Sequence, residues 1–146
     1  MATEHFIGPH RYIIDGDLVH NMPDPNEPLD LQTMKAYTVL VEPVFEKFGR
    51  IFMLNNASSV FNISAQARRH LAEWARGGQI AASATYGCNY TSRTLITMIE
   101  SVMALSDRNR DRQLARQAFF ASESEARTWL ELARDKYLAA HPDAPR

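Results

Sequence analysis

Residues 50 to 54 read RIFML and directly follow an amphipathic helical pattern. Four apolar residues in succession leave a strand no polar face to turn to water, so a strand built from them is buried on both sides. A doubly buried strand requires helices on both faces of its sheet, and hence a chain in which strands alternate with helices.

The flanking segments fit that requirement. Residues 10 to 22, HRYIIDGDLVHNM, hold two strand-like runs around Asp15-Gly16, and Asp-Gly between apolar runs predicts a hairpin. Tyr12 and Ile14 alternate onto one side of it, with Leu18 beyond the turn. The prolines of PDPNEP, residues 23 to 28, cannot extend a sheet ladder and mark a connection. Asp30 is placed to cap a helix carrying Met34, Tyr37, Val41, Val44, Phe45 and Phe48 at three- and four-residue steps. Pro43 either kinks that helix or opens a second one, and Gly49 suits its C-terminal end. After RIFML, NNASSVFNI reads as a loop. Ser64 then caps a helix with a stripe of Ala67, Leu71, Trp74 and Ala75, closed by Gly77-Gly78. Residues 80 to 84 read as another strand. A helix is expected from about Thr91 to Leu105, and a last strand within Leu114 to Phe120. Ser122 and Glu125 form a capping box for a final helix with Ala126, Trp129, Leu130, Ala133 and Tyr137 on its core side.

The expected architecture is therefore an α/β protein with a mixed, mostly parallel sheet of about five strands and four helices. Right-handed crossovers make most of the sheet parallel, and the first hairpin adds an antiparallel edge. At 146 residues the chain is expected to form one domain over 10–138, with an extension at 1–9 and a tail at 139–146. A domain of that size can bury a core without disulfides or metal, and the one cysteine, Cys88, has no intramolecular partner.

Composition narrows the function classes. A net charge of −1 provides no field to draw the chain to nucleic acid. The basic clusters, Arg68-Arg69-His70 and Arg108, Arg110, Arg112 and Arg116 interleaved with Asp107 and Asp111, read as solvated faces. No stretch approaches the ~18 apolar residues of a membrane span, and MATEHFIGPH lacks the pattern of a signal peptide. A cytoplasmic protein without integral membrane contact is expected. The five histidines show no metal-ligand spacing, and no motif resembles a nucleophile elbow. Ser58 or Ser59 with His20 and an aspartate can be imagined as a triad. The expectation is a non-enzymatic protein with no cofactor and no metal.

Residues 84 to 94, ATYGCNYTSRT, are the leading candidate for a binding loop. Ligands of open α/β sheets bind beyond the carboxyl ends of the strands, and this loop feeds a helix N-terminus suited to anions. Gly87 lets backbone approach closely, while Thr91, Ser92 and Arg93 can donate to a phosphate or carboxylate. The plainer alternative is that Thr91 or Ser92 caps the helix and Arg93 pairs with a nearby acid. NNASS should leave the same sheet edge, so Asn55, Asn56, Ser58 and Ser59 can join Arg93 around one pocket, or simply build turns. Phe61 and Tyr90 can flank that pocket.

Three segments carry a family resemblance. FNISAQARRHLAEWAR at 61–76, TYGCNYTSRTL at 85–95 and ARQAFFASESEARTWL at 115–130 occur in an order that resembles the anti-sigma-factor-antagonist (STAS, SpoIIAA-like) domains of bacteria. The shape of these domains is related to CRAL-TRIO lipid carriers. The resemblance spans about residues 10 to 133 and rests on loose, mostly structural motifs. It implies a non-enzymatic regulatory domain that binds protein partners, nucleotides or lipids. The runner-up expectations are a carrier or sensor of a small lipid-like or anionic ligand, and a homodimeric interaction module. The family's switch serine follows an aspartate in the loop after the third strand. Here Asn56 stands in the aspartate's place and Ala57 follows it, so the usual phosphosite is missing. Ser58 or Ser59 substitutes only if the register slips.

Overall fold

The computed structural model describes residues 1–57, 62–87 and 117–146. Within them the elements are β1 (Ala2–Ile7), β2 (His10–Asp15), β3 (Leu18–Met22), α1 (Leu31–Phe48), β4 (Ile51–Asn56), α2 (Ala65–Ala75), β5 (Ile80–Tyr86), β6 (Gln117–Phe120) and α3 (Glu123–Ala140). The six strands form one mixed sheet in the order β1-β2-β3-β4-β5-β6. The first two pairings are antiparallel, and β3 to β6 run parallel.

Where about five strands were expected, six lie among the described residues. The addition is β1, which pairs with β2 from Ala2↔Asp15 to Ile7↔His10. Its stretch, ATEHFI, is mostly exposed and shows little apolar alternation, so the pattern that reveals a half-buried strand is weak. Three helices lie among the described residues; the helix expected near Thr91 to Leu105 falls outside them.

The α/β class follows from β4. Ile51 and Met53 pack with Tyr12, Val19, Met34, Tyr37, Val41, Val44, Ile63 and Ala67 on the first face. Phe52 and Leu54 pack with Ala82, Ala84, Tyr86, Ala126 and Leu130 on the second. Because β3, β4 and β5 follow in chain order across the sheet, right-handed crossovers put α1 and α2 on one face. The C-terminal helix α3 covers the other.

Local chemistry sets the helix ends. The Asp30 carboxylate accepts from Thr33 N–H at 2.8 Å, Ser64 Oγ from Ala67 N–H at 3.1 Å and Ser122 Oγ from Glu125 N–H at 3.3 Å. In the capping box, Glu125 reaches back to the Ser122 hydroxyl, which donates to Oε1 at 3.1 Å, rather than to its backbone amide. At φ 71°, Gly49 ends α1 in the left-handed conformation and returns its N–H to Phe45 O. The two alternatives at Pro43 resolve into one continuous helix. The proline is exposed, and the carbonyl it deprives of a partner belongs to the exposed Val39.

At the amino end of the parallel strands lies a buried ionic cluster. Arg50 Nε donates to Asp17 Oδ2 at 2.7 Å, and these residues are 1% and 3% exposed. Arg134 of α3 donates to the same carboxylate at 3.0 Å. The Arg50 guanidinium also lies over the Phe48 and Tyr137 rings, at 5.7 and 5.5 Å. Removing one partner of a buried pair strands the other charge. Asp17→Ala is therefore expected to lose about 3–5 kcal/mol in urea unfolding. Arg134→Ala, which removes a half-exposed partner, should lose no more than about 1 kcal/mol.

Candidate functional site

The carboxyl ends of β4 and β5 are one ledge. Asn56 and Tyr86 are cross-strand partners, Ala57 N–H donates to Tyr86 O at 3.0 Å, and Gly87 N–H donates to Phe120 O at 3.2 Å. The turns after β4 and β5 therefore start side by side. Gly87 has φ 75°, in the left-handed region that strains any residue with a Cβ. Among the residues nominated from sequence, Asn56 and Gly87 flank Tyr86 on this ledge, both half-buried. Ser58, Ser59, Tyr90, Thr91, Ser92 and Arg93 lie outside the described residues, as do Phe61 and Cys88. Ala57 itself is buried, with its amide committed to the ledge.

On the first face a polar row crosses the sheet just before the ledge. Tyr12, Asn21, Asn55 and Thr85 are consecutive cross-strand partners from β2 to β5. Asn21 Nδ2 donates to Asn55 Oδ1 at 2.8 Å. Asn55 Nδ2 in turn donates to Ser83 Oγ at 2.9 Å and to Thr85 Oγ1 at 3.4 Å. Ser83 and Thr85 are buried, and both asparagines are half-buried. Two atoms of the row, Tyr12 Oη and Asn21 Oδ1, are buried without a hydrogen-bond partner. Burial raises the Tyr12 hydroxyl pKa to about 12. Tyr37, fully enclosed beside it with the ring centroids 5.1 Å apart, is pushed up further; the Asn21 side chain acts weakly the other way. The row therefore stays neutral across the physiological range. It presents amide and hydroxyl groups, which are hydrogen-bond donors and acceptors without charge.

The second face carries a titratable chain at the same edge. His20 Nε2 lies 2.8 Å from Tyr86 Oη, and Tyr86 O–H donates to Glu123 Oε1 at 3.2 Å. Nε2 is 3.7 Å from that carboxylate oxygen, and Arg127 pairs with the other oxygen at 3.6 Å. Burial pushes the His20 imidazole below its ordinary value of 6.5; Glu123 opposes this, while Arg127 and Arg11 reinforce it. Burial and the adjacent Glu123 carboxylate hold the Tyr86 phenol protonated far above neutrality.

Sequence reasoning named Asn55 and His20 but missed their partners. A row perpendicular to the strands has no signature along the chain, because its members are set by register between strands (Asn21 and Asn55 are 34 positions apart). The one available signal was that LVHN and FMLN each end an apolar run in asparagine.

Among the described residues, no three His, Cys, Asp or Glu side chains are grouped to hold a metal ion, and no helix is long and apolar enough to cross a membrane. No protein-family model, curated protein or solved structure matches the chain.

Asn55 is the hub of the polar row, accepting one hydrogen bond and donating two. Asn55→Ala leaves the Asn21 amide and two hydroxyls short of partners in a half-buried layer. It should cost about 1–3 kcal/mol in chemical denaturation, the penalty for stranding buried polar groups.

Proposed function

We propose that this chain is a non-enzymatic, STAS-like regulatory domain that binds a small ligand or a protein partner at the carboxyl edge of β3 to β5. The observation that carries this reading is the pairing of Asn56 with Tyr86, which starts both candidate loops from one ledge. In open α/β sheets, the crevice beyond the carboxyl ends of the strands is where ligands bind. Asn56, Ser58, Ser59, Gly87, Tyr90, Thr91, Ser92 and Arg93 are the proposed contact residues.

The polar row behind the ledge supports binding over catalysis. Amides and high-pKa hydroxyls hold and orient a guest but exchange no proton with it near neutrality. The titratable groups at the edge, His20 and Glu123, are already bonded to Tyr86.

Native mass spectrometry of freshly purified protein tests the proposal. The expected spectrum shows a bound species in addition to the 16.6 kDa chain. That species should be depleted in an Asn56→Ala/Arg93→Ala variant whose circular dichroism is unchanged. A bound species that persists in the variant removes the site from this edge. A dimer mass with nothing else bound replaces the ligand reading with a homodimeric interaction module.

A further inference from the structure

Tyr86 belongs to two networks at once. Its backbone carbonyl accepts from Ala57 N–H, and the amide of the next residue, Gly87, donates to Phe120 O. Its side chain extends to the second face, between a buried imidazole and a half-exposed carboxylate.

We propose that His20, Tyr86 and Glu123 form a proton-responsive latch, coupling protonation of the buried imidazole to the ledge from which both loops of the proposed binding edge depart. The functional meaning of the latch rests on that binding reading; its existence does not.

The hydrogen-bond directions define how it works. With Tyr86 O–H donating to Glu123, the phenol oxygen is left to accept from His20 Nε2–H. The neutral ring therefore carries its hydrogen on Nε2, and acidification adds one solvent proton at Nδ1. No other bond to hydrogen is made or broken. The new positive charge strengthens the pull of Nε2–H on the Tyr86 oxygen and the attraction to Glu123, 3.7 Å away. A hydrogen-bonded chain polarises as a unit, so the change reaches Tyr86, whose carbonyl and following amide belong to the ledge.

The charged groups around His20 set the direction of titration. Among the described residues these are Glu123 and Arg127 on α3 and Arg11 on β2, the last paired with Glu4 of β1 at 2.6 Å. On β4, the cross-strand partner is the uncharged Leu54. Desolvation outweighs Glu123, so the folded-state pKa lies below 6.5. A His of lowered pKa binds its proton more readily when unfolded. The stability it contributes is present above the unfolded value and is lost as pH falls through the folded one. The hydrogen bonds of the latch are thus already formed with the neutral ring, and acidification charges and tightens them, at a cost to global stability.

NMR titration of the intact chain on acidification from neutral pH tests the latch without any ligand. The His20 ring and the Ala57 and Gly87 amides should shift together, with one midpoint below the ordinary imidazole value. Glu123→Gln should lower that midpoint and Arg127→Gln should raise it. Tyr86→Phe should leave His20 titrating but remove the step from both amides. Amides that ignore His20, amides that still follow it in Tyr86→Phe, or a midpoint indifferent to both charge changes would each overturn the proposal. A negative titration leaves the binding edge standing, and a protein that binds nothing leaves the titration readable.

Discussion

The buried contact between Asp17 and Arg50 fixes how the halves of this sheet meet. Asp17 closes the tight turn before β3, and Arg50 immediately precedes β4. Their side chains are joined at 2.7 Å, while Phe52 N–H donates to Asp17 O at 2.8 Å. That double connection sets Leu18 opposite Phe52 and carries the antiparallel hairpin into the parallel ladder. A one-residue slip would turn Phe52 and Leu54 onto the face of α1 and α2 and expose Met53 to α3. Arg134 draws α3 onto the same carboxylate, so one aspartate positions the hairpin, the central strand and the last helix.

Such a cluster specifies more than it stabilises. Two arginines share one carboxylate, and Arg50 Nη2 is buried without a hydrogen-bond partner. Desolvating these charges offsets much of their attraction. The Phe48 and Tyr137 rings beside the guanidinium recover part of that cost. Hydrophobic burial on both faces of β4 supplies the driving force, and the ion cluster determines which apolar residues face which helix.

The opposite end of the sheet is built differently. Parallel strands arrive there in step, and the ledge of Ala57, Tyr86, Gly87 and Phe120 satisfies their last backbone groups. The side chains beside it divide by chemistry between the faces. A neutral amide and hydroxyl row lies towards α1 and α2, and a histidine, tyrosine and glutamate chain lies towards α3. Alternation along the strands produces the division: His20 and Asn21 are neighbours in sequence and point to opposite faces. One edge therefore carries uncharged hydrogen-bonding groups on one side and titratable groups on the other.

Local chemistry made much of the fold legible. Asp15-Gly16 marked the hairpin, Asp30, Ser64 and Ser122 marked three helix starts, Gly49 marked a helix end, and RIFML implied helices on both faces. Each of these signals acts within a few residues, where the backbone and nearby side chains decide the outcome. The edge strand β1 escaped because its residues are exposed and its pairing depends on β2 rather than on its own pattern. That the carboxyl ends of β4 and β5 lie side by side was legible as a consequence of parallel order. The polar row and the His20–Tyr86–Glu123 chain were not, since their members come from strands and a helix far apart in sequence. The sequence alone thus determined most of the described elements, several of the helix ends and the α/β class, because these depend on short-range sterics, capping and burial. Only the tertiary structure decided which polar side chains meet, because register and crossover handedness, rather than spacing along the chain, bring them within hydrogen-bonding distance.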